Sequence, residues 1–181
     1  GNFFHHNPRE SLLQASGRVS IHDNVFSDCP DDDAAAIRLF RHDLPLKLAH
    51  VYHNTIVAAA HGIRIADAPE EDHAIFGNVV FADTPLLLPK ALPKVAENVT
   101  GGRAEAAEHL VAPGAALGAL NLEPKPGRCA GKPLDLAAFA KQTAFDLDFN
   151  GAAKKDARHR GAYASPGGSG GWRLSQSLKT R

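Results

Sequence analysis

Two arginines, Arg38 and Arg64, are the residues whose type and spacing most clearly suggest chemistry. Each lies at the centre of a short alternating pattern, Ile-Arg-Leu at 37–39 and Ile-Arg-Ile at 63–65, which predicts a strand with one apolar face. When the apolar residues are aligned, the two arginines stack outward at the spacing of neighbouring strands, about 4.8 Å. At an effective dielectric constant near 20, their repulsion is on the order of 3 kcal/mol. An anion lying across both strands would relieve it, because planar guanidinium groups bind carboxylate or sulfate bidentately.

A purely structural interpretation of these arginines stays open. In the same register Arg41 falls over Asp67, which predicts an ordinary ion pair between neighbouring strands. The acidic turn at 70–72 (Glu-Glu-Asp) could also reach Arg38 or Arg64. The two interpretations differ in whether the arginines are neutralised within the chain or by a ligand.

His61 is the histidine closest to this pair, in the predicted turn that leads to Arg64. Imidazole exchanges a proton near neutral pH, so His61 is a candidate general base or acid. The chain has 10 histidines. Most of the others are predicted to be surface or turn residues, and none is assigned to a metal.

Four carboxylates crowd the predicted turn just before the 37–39 strand: Asp28, Asp31, Asp32 and Asp33. Calcium prefers several oxygen ligands, and such a turn could supply them. A solvated acidic turn is the alternative, since no EF-hand spacing is present. No cofactor is expected, and calcium is the one ion that the sequence leaves open.

Cys29 and Cys129 are the two cysteines of the chain. A disulfide between them would fasten the C-terminal part to the body and stabilise the fold by roughly 4 kcal/mol through loop closure. Two unrelated thiols are the alternative, and the spacing alone favours it. The chain has no CxxC or Cys/His spacing typical of zinc.

The elements that would position these residues form a repeat. An alternating apolar run, an Asn and two or three further apolar residues recur around Asn2, Asn24, Asn54, Asn78 and Asn98. With the strands of the 37–39 type, each repeat contains three short strands separated by turns. Strands this short are buried only when the repeats stack coil on coil, which places each Asn above the previous one. Side-chain amides can hydrogen-bond along such a stack, and plain turn formation is the alternative.

Residues 1–102 resemble the closing coils of a right-handed parallel β-helix of the pectate-lyase-like superfamily. The Asn series and the Gly-Ile-Arg-Ile strand at 62–65 carry the resemblance. The stretch 145–151, followed by Arg-Gly-Ala-Tyr at 160–163, resembles the D-x-D-G … G-A-Y-E ending of many bacterial β-helix proteins, although Asn150 precedes the Gly and Ala164 replaces the Glu. The resemblance implies an all-β solenoid of about four to five coils. In lyases of this architecture, the outer face of the strand that carries Arg38 and Arg64 forms the substrate groove.

The repeat stops after residue 102. A solenoid end needs a cover, so residues 103–164 are predicted to form a C-terminal cap. Short helices are predicted at 104–110 and 134–142, the second with Asp135 near its start. Residues 165–181 have a linker composition and are predicted to be a flexible tail.

Composition limits the function further. The 181 residues carry 20 Lys and Arg against 20 Asp and Glu, so the basic footprint of a general nucleic-acid binder is missing. No apolar run approaches eighteen residues, so no membrane span is predicted. There is no Met, and Gly1-Asn2-Phe3-Phe4 reads as the middle of an element. We therefore expect a piece of a longer protein, whose partner at that end would be the missing N-terminal coils or another copy of the chain.

Two function classes follow from the resemblance. The first is a carbohydrate-active enzyme, a lyase of acidic (uronate) polysaccharide, with a glycoside hydrolase as the alternative. Arg38 and Arg64 would bind the substrate carboxylates, with His61 as the acid–base candidate. The second is a non-catalytic β-helix protein that binds glycan or has a structural role on a cell surface. Either class implies a secreted or periplasmic bacterial protein.

Overall fold

The computed structural model describes residues 1–90, 92, 94–167 and 171–179 of the chain. Its strands in chain order are β1 (Phe3–His5), β2 (Leu13–Ala15), β3 (Arg18–His22), β4 (Val25–Ser27), β5 (Ala35–Leu39), β6 (Leu48–Tyr52), β7 (Thr55–Val57), β8 (His61–Ile65), β9 (Asp72–Phe76), β10 (Val79–Phe81), β11 (Thr84–Leu87), β12 (Val95–Ala96), β13 (Val99–Gly101), β14 (Leu110–Ala112) and β15 (Asn121–Pro124). One α-helix, α1 (Ala106–His109), lies between β13 and β14.

The first thirteen strands form three parallel sheets that wind along the chain. Sheet A has the order β1-β4-β7-β10-β13, sheet B the order β11-β8-β5-β2, and sheet C the order β12-β9-β6-β3. Each strand pairs with the equivalent strand of the next coil, as in the pairs β3–β6 and β6–β9. The chain is therefore an all-β parallel β-solenoid of about four coils, as predicted.

The corner between sheets C and A carries the predicted Asn column. Side-chain Nδ2 groups donate to the next Oδ1 at 3.1 Å from Asn24 to Asn54, 3.0 Å from Asn54 to Asn78 and 2.9 Å from Asn78 to Asn98. Asn2 donates to Asn24 in the same way at 3.2 Å. The backbone N–H of each of these donors also points at that oxygen. The stacked-column prediction is confirmed, because plain turns would leave these amides unlinked.

The residue before each Asn makes this corner sharp by adopting a left-handed backbone. The φ angles are 56° at Asp23, 51° at His53, 62° at Gly77 and 59° at Glu97. Left-handed geometry is unfavourable for most residues and persists only where the surroundings fix it. The corner is thus strained and then held by the Asn column.

Inside the solenoid, one apolar cluster runs through all three sheets. Ile37, Ile63, Ile56, Val80 and Ile75 are all fully buried in it. At the entry to β8, Gly62 allows close packing, since a Cβ there would lie 2.1 Å from Val80 Cγ1. A side chain at that position would therefore force adjacent coils apart.

The cap covers the outer face of sheet A. Val25, Val79 and Phe81 point outward from that sheet and pack in a second cluster with cap residues such as Leu122 and Tyr163. The two parts of the predicted C-terminal motif meet here, because Phe149 N–H donates to the Ala162 carbonyl at 2.7 Å. Asp148 accepts the Ala164 N–H at 3.0 Å.

The cap also covers sheet C. Tyr52 stacks on Phe139 with ring centroids 3.9 Å apart, and Leu136 and Phe145 join the same cluster. The helix predicted at 104–110 is present as a 3-10 turn (Arg103–Glu105) that runs into α1. The helix predicted at 134–142 is wrong, because only a 3-10 turn (Ala137–Phe139) forms there. Asp135 still accepts the Ala137 N–H at 2.9 Å, and this bond starts the turn.

Two buried cations tie the cap to the Asn corner. Lys154 lies 2.5 Å from Asp23, with 4% and 3% of these side chains exposed. Arg160 pairs with Glu97 at the other end of the corner. Between them, Gly161 N–H donates to the Gly77 carbonyl at 2.8 Å. The cap is therefore fixed to several coils at once.

Part of the segment predicted as a tail packs on the body. Leu174 is buried, and Trp172 packs against Phe3 and Phe149. Lys179 Nζ lies 3.5 Å from the centre of the Phe149 ring. Residues 168–170, 180 and 181 of the predicted tail lie outside the described residues. None of the helices described is long and apolar enough to cross a membrane.

Both cysteines are buried free thiols. Cys29 packs in the solenoid interior, and Cys129 packs in the cluster between the cap and sheet A. The disulfide interpretation is therefore not supported. Burial raises the pKa of both thiols, that of Cys129 to about 11.

Candidate functional site

The outer face of sheet B carries the predicted arginine pair. Arg38 is the direct register partner of Arg64, and Gln14 and Leu87 continue the row in the flanking coils. The predicted register is confirmed, because 37–39 aligns residue by residue with 63–65. We call this row of Gln14, Arg38, Arg64 and Leu87 the arginine face.

The arginine face differs from the outer faces of the other sheets in what covers it. Within the described residues, no cap side chain forms a hydrogen bond with the row or packs in the cluster beneath it. Leu87 is 39% exposed at one end of the row. Sheets A and C are covered by the cap, so sheet B offers the open surface.

Arg64 is neutralised within the chain. Its Nη1 donates to Asp33 Oδ1 at 2.9 Å and to the Asp33 carbonyl at 3.2 Å. The turn that presents Asp33 is held by Asp31, whose Oδ1 accepts the N–H groups of Asp33 and Ala34 at 2.9 and 3.1 Å. The partner of Arg64 therefore comes from the acidic turn that precedes β5.

The turn at 70–72 has other partners, contrary to the structural interpretation of the sequence. Glu71 pairs with Arg18. Asp72 lies 2.6 Å from Lys94 and 3.0 Å from His50, and these hydrogen bonds, that of Lys94 first, lower the pKa of Asp72 to about 2. The expectation that this turn reaches the arginine pair is wrong, because these acids lie along sheet C instead.

Arg38 has no acidic partner among the described residues. In the described part of the chain its side chain forms no ion pair or hydrogen bond, and its Nε is shielded from solvent without an acceptor. Its guanidinium carbon lies 5.0 Å from the centre of the Phe40 ring. A cation–π contact of this kind orients the guanidinium but leaves its donors unused.

The predicted pairing of Arg41 with Asp67 takes a different form. Asp67 Oδ2 accepts the backbone N–H of Arg41 at 2.8 Å, and no side-chain ion pair joins these two residues in the described structure. A backbone contact needs no particular side chain at position 41. Arg41 is exposed.

His61 begins β8 and is in register with Ala35 and Thr84. It is half-buried, and its Nδ1 has no partner among the described residues. Arg64 lies three residues further along the strand, a distance of about 10 Å along the backbone. No hydrogen bond connects the two side chains, so the acid–base role of His61 stays a prediction.

The aspartates of the acidic cluster have different hydrogen-bond partners. Asp28 lies 2.6 Å from His6, Asp31 holds its own turn, and Asp33 pairs with Arg64. In the part of the chain that the structure describes, no group of three or more His, Cys, Asp or Glu side chains could hold a metal ion. Calcium binding at this turn stays a prediction.

A polar network missed by the sequence analysis lies beneath the cap on sheet C. His50 Nδ1 contacts Gln142 Nε2 at 2.7 Å, and Tyr52 donates to Gln142 Oε1 at 2.9 Å. Ser20 also donates to this oxygen. Gln142 is 90 residues from Tyr52 in the chain, so only the fold reveals the contact. The network fixes the cap to the solenoid, and Ser20 at its edge is exposed.

In comparisons with known proteins, no protein-family model, curated protein or solved structure matches the chain. The fold and the arginine face thus define the class, a parallel β-solenoid protein with one open sheet face.

Proposed function

We propose that this chain binds an acidic polysaccharide through the arginine face, as a carbohydrate-active β-helix protein of the pectate-lyase-like kind. The observation that carries the proposal is the stacking of Arg38 on Arg64 on the sheet face left open by the cap. A polyuronate presents carboxylates at regular intervals along an extended chain. Such a chain can lie across neighbouring coils and meet both guanidinium groups.

Electrostatics supports a ligand at this face. Neighbouring strands lie about 4.8 Å apart, and two like charges at that separation would repel each other by on the order of 3 kcal/mol at an effective dielectric constant near 20, and by less when solvated. Asp33 neutralises one of the two charges, so Arg38, Arg64 and Asp33 together keep a net positive charge. The terminal Nη groups of Arg38 form no hydrogen bond within the described residues, and such groups suit a carboxylate. Phe40 beside it supplies apolar surface on which a sugar ring can pack.

A binding role without catalysis is the second candidate. The strands of sheet B carry arginine but no lysine, and His61 has no contact with Arg64. A lyase needs a base close to the group that binds the uronate carboxylate. These observations favour binding over turnover on the coils present here. A polysaccharide ligand also supports a secreted or periplasmic location.

Affinity electrophoresis of the whole chain against neutral, uronate and sulfated polysaccharides tests the proposal. We expect retardation by acidic glycans alone, and loss of it in Arg38→Ala/Arg64→Ala. The control Arg128→Ala/Arg158→Ala removes the same charge from exposed cap positions and should leave the retardation unchanged. Absence of retardation by any glycan, or equal loss in both double variants, would overturn the proposal.

An activity assay separates the two candidates. Incubation with a retained polyuronate should yield no unsaturated uronate product if the chain only binds. Product that disappears in His61→Ala, with retardation unchanged, would instead establish a lyase with His61 at its centre.

A further inference from the structure

The contact between Asp33 and Arg64 places a carboxylate of the chain where the proposed ligand would place its own. The Asp33 side chain is 84% exposed, whereas that of Arg64 is 25% exposed. Arg64 is therefore held against the sheet, and Asp33 reaches it from solvent. A group so exposed can leave without breaking any buried contact.

Asp33 is presented by a fixed turn, so its approach to Arg64 is built in. Asp31 holds the backbone of residues 33 and 34, and β5 begins directly afterwards at Ala35. Arg64 also donates to the Asp33 carbonyl, which keeps the guanidinium in place when the side chain moves. Departure of the Asp33 carboxylate would thus leave Arg64 oriented and unneutralised.

We propose that Asp33 is a specificity-determining residue of the arginine face, an inference that rests on the proposed function. In the free protein its carboxylate occupies the anion position of Arg64, and a ligand carboxylate must displace it. Arg38 carries no such occupant and is the first contact for an acidic sugar.

This arrangement favours polymers with acidic groups on neighbouring units. One carboxylate bound at Arg38 holds the next close to Arg64, and its high effective concentration drives the displacement of Asp33. An isolated uronate gains only the contact with Arg38. Asp33 thereby discriminates against sparsely charged glycans.

The test is binding of a polyuronate to Asp33→Asn, with Asp32→Asn as the matched control. Both variants lose one exposed negative charge from the same turn, but Asp32 forms no hydrogen bond or ion pair with Arg64 in the described structure. Exposed ion pairs are worth about 0.2–1 kcal/mol, so we expect Asp33→Asn to bind about 1.4- to fivefold more tightly. Asp32→Asn should show less than half of that gain in affinity. The gain of Asp33→Asn over wild type should also be smaller for the free uronate monomer than for the polymer.

A double variant shows whether Asp33 acts through Arg64. The gain from Asp33→Asn should vanish in an Arg64→Ala background. Equal gains in Asp33→Asn and Asp32→Asn, or a gain that persists without Arg64, would overturn the inference while leaving the proposed function standing. Failure of the wild-type chain to bind any acidic glycan would instead overturn the proposed function.

Discussion

The Asn corner and the arginine face both stack one residue type from coil to coil, with opposite results. Each inner amide of the corner both donates and accepts, so Asn54 and Asn78 are fully buried and satisfied. Guanidinium groups only donate, so stacking Arg38 on Arg64 adds charge and leaves donors unused. A stack whose hydrogen-bonding groups are satisfied within the chain stabilises the fold, whereas a stack that leaves donors without acceptors points to a ligand.

The same contrast holds for the ion pairs of the two regions. At the corner, burial raises the pKa of Asp23 and lowers that of Lys154, so each charge depends on the other. At the arginine face, Asp33 is open to water. Pairs of the first kind are expensive to break, and pairs of the second kind are worth little. Substitutions should therefore separate stability from binding.

The largest expected effect is at the buried ion pair between Lys154 and Asp23, which ties the cap to the Asn corner. Lys154→Met leaves the buried Asp23 with His22 as its remaining partner, which should lower the free energy of unfolding by up to roughly 3–5 kcal/mol. Urea unfolding followed by circular dichroism measures the loss. The double variant Asp23→Asn/Lys154→Met should recover part of it, because the uncompensated charge is gone. If Lys154→Met were as stable as wild type, the ion pair would not be what holds the cap.

The Asn column should show a gradient along its length. Asn54→Ala leaves the Asn24 amide and the Ile21 and Tyr52 carbonyls without a buried partner, at a loss of about 3 kcal/mol. Asn2→Ala at the exposed first position should lose less than about 1 kcal/mol. Thermal unfolding of the two variants measures both values. Equal losses would contradict a stack whose strength comes from burial.

Protonation of His53 should weaken the corner at acid pH. This side chain is fully buried, and neither ring nitrogen has a partner among the described residues. Burial first, and then the charges of Lys154 and Arg160, lower the pKa of His53 well below its ordinary value. The unfolded chain thus binds the proton first, so the stabilisation is complete above about pH 6.5. Below that it falls by up to about 1.4 kcal/mol per pH unit until the folded pKa is reached.

Urea unfolding between about pH 5 and pH 7.5 tests this slope. His53→Asn, which tolerates the left-handed backbone, should flatten the profile. His73→Asn is the control, because burial also lowers the pKa of that partly exposed histidine, but less strongly. The pKa of Asp72 is lowered to about 2, so its contribution is lost only below about pH 4, outside this window. An unchanged slope in His53→Asn would show that other groups control the acid response.

The sequence predicted the repeating part of the molecule better than the cap. Each coil restates the same pattern, so the Asn column and the register of Arg38 on Arg64 follow from alignment alone. The cap repeats nothing, and the contacts of Gln142 with His50 and of Lys154 with Asp23 join segments 92 and 131 residues apart. The sequence places Asp33 in an acidic turn. Its pairing with Arg64 could not be predicted, because it depends on how that turn folds.

The smallest change in stability is expected on the arginine face. There the expected effect is on polysaccharide binding instead. Arg38→Gln removes a like charge from beside Arg64 and breaks no ion pair of the described structure, so unfolding should shift by less than about 1 kcal/mol. Retardation by a polyuronate should nevertheless be lost, since Arg38 is the contact that the chain leaves unneutralised. Gln14→Ala, one coil away on the same row, should change neither quantity by as much. A strong loss of stability in Arg38→Gln would mean that this residue belongs to the fold, as the Asn column does, and the contrast between the two regions would fail.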